Sequence, residues 1–199
     1  MRHLCYLLLL SIFFTACGDD VLPVPKPRSY PRVHYPERAY EEVSSEYCSF
    51  RFEKPVSATI VKEESFFEEV PPDSCWFDLR FDPALNGSVH FSYYPLASYE
   101  DFEALRDEAF KLMNVHNKRA SDIEEIGIHR DEAKVHGVAF DIAGSAASPF
   151  QFFLTDSTNH FLRGALYFDT EVRPDSLAPI IAYAKEDIFR MVETFEWEE

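Results

Sequence analysis

Glycine and positive charge are both scarce in this 199-residue chain, and each shortage excludes a class of function. The six glycines are scattered, so the sequence has no glycine-rich loop of the kind that binds nucleotide phosphates. Only 19 lysines and arginines stand against 35 aspartates and glutamates, which gives a net charge of −16. Phosphate backbones and anionic lipid surfaces repel such a protein, so we expect no nucleic-acid partner.

Long apolar runs are also missing, and the longest lies at the N-terminus. It spans residues 4–17 after a short basic segment, and it falls short of the about 20 residues that a membrane-spanning helix needs. This pattern is typical of a secretory signal peptide. Its end, FTAC at 14–17, resembles the lipobox of bacterial lipoproteins, although Phe14 replaces the usual aliphatic residue. We predict a signal peptide over 1–16 and lipidation of Cys17; the alternative is an ordinary secretory signal with an incidental cysteine.

Cysteine is rare as well, and the signal peptide and the lipid anchor account for two of the four residues. Cys5 leaves with the signal and Cys17 carries the lipid. Cys48 and Cys75 remain, in a compartment where thiols oxidise, and we predict that they form a disulfide. Two buried free thiols are the alternative. A metal site is disfavoured because neither cysteine lies in a CxxC motif or near a histidine at ligand spacing.

Proline is concentrated in one segment that separates the anchor from the rest of the chain. Five prolines between positions 23 and 36 exclude a helix or a central strand there. We predict an extended, lipid-anchored tether over 17–46, with a reach of roughly 60 Å, and a single globular domain over 47–199. The rings of Tyr30, His34, Tyr35 and Tyr40 indicate that part of the tether lies on the domain or on a partner.

The predicted domain contains two different hydrophobic periods. A period of two predicts strands at 50–52, 58–62, 76–81, 88–94, 123–129, 135–142, 150–154 and 161–168. A period of 3.6 predicts one helix that starts at the cap residue Ser98 and another from Pro174 to Phe195. Hairpin-length connections, such as Asn86-Gly87, favour an antiparallel sheet. We therefore predict an α/β (α+β) fold, an α/β/α sandwich with helices on a mainly antiparallel sheet.

Asp156, Ser157 and His160 lie within five positions, between two apolar runs. They are the residue types of a hydrolase triad, but no G-x-S-x-G elbow surrounds the serine. Residues 155–159 are all types that favour turns, because their side chains bond to nearby backbone groups. We predict that this stretch is the turn of a hairpin and that it is not catalytic; a partner-binding loop is a further alternative.

The same region is also our prediction for a surface that contacts a partner protein. We place this surface around 143–163. Its candidate contact residues are Ser148, Asp156, Ser157, His160 and Arg163. Arginine is a common interface anchor, and Gly164 in the following strand permits close approach of another group or a bulge.

A histidine pair is the remaining candidate for chemistry. His129 and His136 lie on two adjacent predicted strands, where they can face each other across a hairpin. Two histidines without a third ligand make a weak zinc site. We therefore expect no metal and no other cofactor.

Several words of the mature chain match those of a known family. They are CGDD (17–20), PKPRSY (25–30), CWFDL (75–79), ASPFQFFLTDSTNHFLRGALYFDT (147–170), DSLAPI (175–180) and MVETFEW (191–197). Together they resemble the gliding motility lipoprotein GldD family of Bacteroidetes. The resemblance implies a membrane-anchored envelope protein needed for gliding and linked to type IX secretion, and it carries over no enzymatic activity. The order of strands and helices also resembles the fold shared by the Mog1 and PsbP proteins.

These observations favour a non-catalytic structural or assembly component of the cell envelope. We expect a lipid anchor on the periplasmic side, and partners among the other gliding motility and type IX secretion envelope proteins. The anchor raises the effective concentration of a binding surface near those partners. The alternative is an envelope enzyme or small-ligand binder that uses the loop of Asp156, Ser157 and His160, and it requires these side chains to lie within about 3 Å of one another.

Overall fold

The computed structural model describes residues 32–44, 48–62 and 73–198. The strands in these ranges are β1 (Tyr40–Ser44), β2 (Phe50–Pro55), β3 (Thr59–Lys62), β4 (Trp76–Arg80), β5 (Gly87–Pro95), β6 (Ala120–Arg130), β7 (Val135–Gly144), β8 (Phe150–Thr155), β9 (His160–Phe168) and β10 (Glu196–Trp197). The helices are α1 (Tyr99–Asn114) and α2 (Pro174–Thr194). Cys17, the predicted site of lipidation, lies outside the described residues.

Two antiparallel sheets organise these strands. The large sheet has the order β3-β4-β5-β9-β8-β7-β6, and the small sheet has the order β1-β2-β10. Each predicted hairpin joins neighbours in the large sheet: β4 with β5, β6 with β7, and β8 with β9. The predicted antiparallel α/β fold is therefore confirmed. The periodicity does not predict the separate small sheet.

Both faces of the large sheet are covered, because side chains along its central strands alternate between two cores. Phe150, Phe152 and Leu154 of β8 pack in one core with α2 and the small sheet. Phe153 packs in the other core with α1. All six residues of β8 are buried, as expected for a strand that is enclosed on both faces. The layers are thus α1, the large sheet, and α2 beside the small sheet, which is an α/β/α sandwich.

Helix α1 begins where the sequence predicts. The Ser98 hydroxyl accepts a hydrogen bond from the backbone N–H of Asp101 at 3.2 Å, and the Asp101 carboxylate accepts one from the backbone N–H of Ala97 at 3.1 Å. This reciprocal cap satisfies N–H groups that the first turn leaves free. Ala109 and Met113 are buried against the large sheet. The cap and the apolar stripe together explain both the start and the orientation of the helix.

Helix α2 has Pro174 in its first turn, where the missing N–H costs nothing. Its apolar stripe faces the second core. The buried apolar residues of this stripe are Ile180, Ala184, Ile188, Met191 and Val192. Ion pairs from Lys185 to Asp141 and from Arg190 to Glu53 link the helix to β7 and β2. The helix therefore bridges the large sheet and the small sheet.

A disulfide between Cys48 and Cys75 joins the two sheets. Their Cα atoms lie 5.1 Å apart, and both side chains are buried. Cys48 precedes β2 of the small sheet, and Cys75 precedes β4 of the large sheet. The bond closes a loop of 27 residues, for which the chain-entropy model gives about 3–4 kcal/mol of stabilisation. The structure thus contains the predicted pairing.

The last part of the predicted tether belongs to the folded unit. Residues 40–44 form β1 and pair with β2, after the last proline of the segment. The Tyr40 hydroxyl donates a 2.8 Å hydrogen bond to the buried carboxylate of Asp187 in α2. The Tyr35 ring stacks on Tyr183 with a centroid separation of 4.7 Å. The folded unit therefore includes residues 40–44 and the contacts of Tyr35, which lie before residue 47.

Gly164 of β9 allows the close approach that the sequence predicts, because the Phe152 ring of the neighbouring strand lies directly over it. A methyl group at this position would overlap that ring. We expect Gly164→Ala to lower the free energy of unfolding by about 1–3 kcal/mol. Gly127→Ala is the matched control. It places the same methyl on an exposed strand, beside the movable side chain of His129, and should change stability by less than about 0.5 kcal/mol. Urea unfolding of both variants measures the difference, and equal stabilities would contradict the overlap.

Candidate functional site

The stretch between β8 and β9 is a turn that the Asp156 carboxylate holds in place. Oδ1 of Asp156 accepts hydrogen bonds from the backbone N–H groups of Thr158, Asn159 and His160 at 2.9, 2.8 and 2.9 Å. Oδ2 accepts from the Thr158 hydroxyl at 2.8 Å. Ser157 adopts a left-handed backbone conformation with φ of 64°. We call residues 155–160 the Asp156 turn, and its geometry is that of the predicted hairpin connection.

These hydrogen bonds determine the charge of Asp156. Partial burial opposes ionisation, but the N–H groups of Asn159, Thr158 and His160 outweigh it and lower the pKa to about 2. The carboxylate is therefore ionised at neutral pH. Because its lone pairs are engaged within the turn, Asp156 serves the local fold and does not orient a catalytic base.

The imidazole of His160 is held by groups distant in sequence. Its Nδ1 lies 2.7 Å from the Tyr93 hydroxyl in β5, and its ring stacks on the Trp197 indole with a centroid separation of 4.8 Å. Desolvation lowers the pKa of His160, and the charge of Asp156 only partly opposes this effect. The ring is thus neutral at pH 7 and forms part of a packed aromatic contact.

A hydrolase triad is therefore not assembled. Within the described ranges, no hydrogen bond links the Ser157 hydroxyl to the His160 ring, and the Asp156 carboxylate bonds to the backbone N–H of His160 instead of the imidazole. A triad needs the serine, the imidazole and the acid in one hydrogen-bonded chain. The geometry favours the turn over the catalytic alternative.

A cleft of about 950 Å³ opens beside the Asp156 turn. Three segments line it: the β6–β7 connection, the Asp156 turn and the C-terminal strand β10. Arg130 donates hydrogen bonds to the carbonyls of Val192 and Phe195 at the end of α2, and the Trp197 indole N–H donates to the Lys134 carbonyl at 3.1 Å. These bonds fix the walls of the cleft. Its carboxylates are Asp131, Glu132, Asp156, Glu196 and Glu198.

The charge of the cleft limits what it can bind. Its five carboxylates outnumber its two cations, Arg130 and Lys134. The guanidinium of Arg130 is already bonded to carbonyl groups at the C-terminus of a helix, where a cation is favourable. The cleft is therefore suited to a polar or basic segment and not to an anion.

The predicted contact residues do not form one surface. Ser148 is fully buried, and its hydroxyl donates to the Phe150 carbonyl at 3.3 Å. Arg163 is half-buried and lies three residues after His160 on β9, so its side chain projects from the opposite face of the sheet. Asp156, Ser157 and His160 are half-buried members of the Asp156 turn. Accessible parts of the predicted surface are thus divided between two faces.

Two buried polar pairs are further features of the large sheet, and the sequence analysis missed both. The His90 ring lies 2.8 Å from the Asp78 carboxylate across β4 and β5. The Gln151 side chain lies 2.9 Å from Nε2 of His116, whose pKa is lowered by desolvation and by the nearby charge of Arg163. The sequence signal for these pairs was a polar residue, His90 or Gln151, at a strand position whose side chain is buried. Nδ1 of His90 is thus partnered by the Asp78 carboxylate, and Nε2 of His116 by the Gln151 amide.

The histidine pair of β6 and β7 faces across the hairpin as predicted. His129 and His136 are opposite each other in the register, with ring centroids 6.4 Å apart. In the part of the chain that the structure describes, no three His, Cys, Asp or Glu side chains are placed to hold a metal ion. The pair lies at the exposed end of the hairpin, away from both cores.

Comparison with known proteins identifies the family. The model of the gliding motility lipoprotein GldD family matches residues 20–197, which includes the tether, the Asp156 turn and β10. The chain belongs to this family. Membership in a lipoprotein family means that a lipid anchors the protein to a membrane. Neither described helix is long and apolar enough to cross a bilayer.

Two other comparisons complete the picture of this GldD family member. Its structure is similar to the solution structure of cyanobacterial PsbP (CyanoP) from Synechocystis sp. PCC 6803. The TM-score is 0.48 and the sequence identity is 11%, over 86% of this chain and 98% of that chain. No curated protein matches the sequence.

The Asp156 turn makes the stability of the domain depend on pH. The folded-state pKa of Asp156, about 2, lies below the ordinary value of 3.8. The ionised carboxylate therefore stabilises the fold above about pH 4, and this contribution disappears as the pH falls towards 2. Since the side chain is partly exposed, solvent screening reduces the contribution to about 1 kcal/mol.

We expect Asp156→Asn to be less stable than the wild type at pH 7 by about 1 kcal/mol, and the gap to close as the pH approaches 2. Asp122→Asn, at an exposed position of β6, is the control and should show no gap that closes in this window. Urea unfolding between pH 7 and pH 2.5 measures both. A gap for Asp156→Asn that is constant with pH would show that the turn does not depend on the ionised carboxylate.

Proposed function

We propose that this protein is a lipid-anchored component of the periplasmic side of the cell envelope that supports gliding motility as a structural or assembly part, without catalysis. Its acyl chains, palmitate among them, are attached to Cys17. Its partners are other gliding motility and type IX secretion proteins. The observation that carries this proposal is the family match across residues 20–197, which spans the tether and the domain together.

The described contacts support a non-catalytic role. The acid, the hydroxyl and the histidine that resemble a triad are used for local structure: Asp156 closes a turn, Ser157 occupies a left-handed position, and His160 packs against Trp197. A catalytic imidazole needs access to a proton on a substrate. Here the Nδ1 atom is engaged by Tyr93 and one ring face is covered by the indole.

The contacts between the end of the tether and α2 support a role for the tether in positioning the domain. Arg38 pairs with Glu186 and with the buried carboxylate of Asp187, at 3.4 Å in the latter case, next to the bond from Tyr40. These contacts fix the point at which the chain leaves the domain. A domain held at a defined point on a short tether is confined near the membrane, and confinement raises its effective concentration for partners there.

The lipid anchor gives a direct test. We expect Cys17→Ala to move the protein from the membrane fraction to the soluble fraction, because the acyl chains supply the membrane affinity. Colony spreading should be lost with it, since the domain is no longer confined. Cys5→Ala, inside the predicted signal peptide, is the matched control and should leave both properties unchanged. The proposal fails if Cys17→Ala still sediments with membranes and spreads normally.

The link to type IX secretion has its own test. We expect deletion of the gene to abolish colony spreading and to reduce the type IX cargo proteins in the medium, and the wild-type gene to restore both. Quantification of cargo in the supernatant, normalised to cell mass, measures the link. Loss of spreading with unchanged cargo would restrict the role of this protein to motility.

A further inference from the structure

The two edges of the large sheet differ in length. At one edge β3 has four residues, whereas at the other edge β6 has eleven, from Ala120 to Arg130. In the described part of the chain, no strand pairs with the outer side of β6. Native proteins usually protect such edges by shortening them or with proline, bulges or charged side chains. β6 contains no proline or lysine, its register shift lies at its first residues, between Ala120 and Asp122, and its acidic side chains repel an acidic strand but not a basic one. A long edge of this kind is a template for another strand.

The hydrogen bonds show which backbone groups of β6 point outward. The backbone N–H of Ile142 in β7 donates to the Pro149 carbonyl at 2.9 Å, so the amide and carbonyl of Ile142 point away from β6. Ile142 is opposite Ile123 in the register, and this pair is therefore not bonded within the sheet. Because bonded and non-bonded pairs alternate along an antiparallel ladder, every second residue of β6 likewise directs its N–H and C=O groups away from β7. The residues whose N–H and C=O groups point outward are Ile123, Glu125, Gly127 and His129.

The side chains along β6 define the chemistry that this edge fits. Its first half carries exposed carboxylates at Asp122, Glu124 and Glu125. Its second half carries Ile126 and Ile128, which pack on the core beneath α2. Cross-strand neighbours contact one another directly, and opposite charges across a pair are favourable. A strand added here fits best with basic residues at one end and apolar residues at the other.

We propose that the β6 edge binds an extended basic segment of another envelope protein by strand addition, an inference that rests on the proposed role as an assembly component. The four outward residues supply the backbone hydrogen bonds that give affinity. Asp122, Glu124 and Glu125 select lysine or arginine in the added strand. The chain's net charge of −16 draws a basic segment towards this edge from a distance.

A second copy of this chain is not the occupant. Pairing two β6 edges would bring the carboxylates of both copies together, and like charges across a strand pair are destabilising. Each copy also carries a net charge of −16, so the copies repel each other as they approach. The occupant is therefore a different chain of opposite charge.

The test uses a fluorescein-labelled ten-residue peptide with lysine and threonine in one half and valine and threonine in the other, and the full mature protein in detergent micelles. Fluorescence anisotropy should show saturable binding, and a peptide with glutamate in place of every lysine should not bind. Glu125→Pro removes an outward N–H and leaves the bonds between β6 and β7 intact, because proline is tolerated on the open side of an edge strand. We expect it to weaken binding by about tenfold or more.

Glu125→Thr is the matched control, because it removes the same charge but keeps the backbone N–H. It should weaken binding less than Glu125→Pro does. Urea unfolding should show that both variants fold. The proposal is overturned if the lysine peptide binds Glu125→Pro as strongly as it binds the wild type. It is also overturned if the unliganded wild type sediments as a dimer and Glu125→Pro does not.

Amide hydrogen exchange gives a signature that only strand addition produces. When the lysine peptide binds, the amides of Ile123, Glu125, Gly127 and His129 should exchange more slowly. Those of Glu124, Ile126 and Ile128 already bond to β7 and should change little. Slower exchange without this alternation would show that the peptide binds by its charge alone, and would overturn strand addition.

Complementation separates this inference from the proposed function. If Glu125→Pro restores spreading fully while Cys17→Ala does not, the β6 edge is not the assembly surface and the anchored role stands. If neither variant impairs spreading, the anchored role itself is wrong. Loss of spreading in Glu125→Pro with normal anchoring and abundance, together with normal spreading in Glu125→Thr, is the expected result.

Discussion

The packing of the small sheet against the large sheet is the contact on which the rest of the structure depends. Phe50 and Phe52 of β2 meet Phe77 of β4 with ring centroids 6.3 and 6.5 Å apart, and Phe50 lies 5.0 Å from Phe195 at the end of α2. Aromatic side chains bury large apolar areas, so this cluster is a major part of the core. The disulfide from Cys48 to Cys75 lies beside it and links the two sheets covalently. The Trp197 ring contacts Phe195 and stacks on His160, so the same packing also forms one wall of the cleft.

This arrangement determines which backbone groups remain available to pair with another protein. With α1 on one face of the large sheet, and α2 and the small sheet on the other, the central strands are enclosed, and free backbone groups remain only at the edges of the described sheets. The edge formed by β1 belongs to the segment that leads to the lipid anchor, and it is short. The β6 edge is long and acidic. The fold thus places the tether-side strand β1 and the open edge of β6 in different sheets.

Local patterns in the sequence predict most of the elements but not their arrangement. The strands of the three hairpins and both helices follow from periodicity, from the Asn86-Gly87 turn and from the Ser98 cap, because each of these signals acts over a few residues. Strand β10 has two residues and β1 has a weak burial pattern, so neither gives a periodic signal. The position of β10 depends on a contact more than 100 residues away in sequence, Trp197 opposite Phe50. Strand β1 pairs with nearby β2, but it is also held by the hydrogen bond from Tyr40 to the distant Asp187.

The candidate site shows the same division between local and distant information. The turn at Asp156 is predictable, because aspartate, serine and asparagine bond to nearby backbone groups. The stacking of His160 on Trp197 is not, because it joins two strands of separate sheets. Arg163 and His160 are three positions apart on one strand, so the period of two places them on opposite faces of the sheet. The prediction of a single contact surface did not take this period into account. Ser148 is fully buried, and its small neighbours give no sequence signal of this burial.

The central claim is that this protein works without chemistry at the Asp156 turn. The most direct measurement is colony spreading of a deletion strain that carries Ser157→Gly and His160→Asn together. Glycine suits the left-handed backbone at 157, and asparagine keeps a polar atom near the Tyr93 hydroxyl, so the turn should persist while the hydroxyl and the imidazole are removed. We predict spreading equal to that of the wild type. A variant that is anchored and as abundant as the wild type, yet does not spread, would contradict the claim and make the turn a working site.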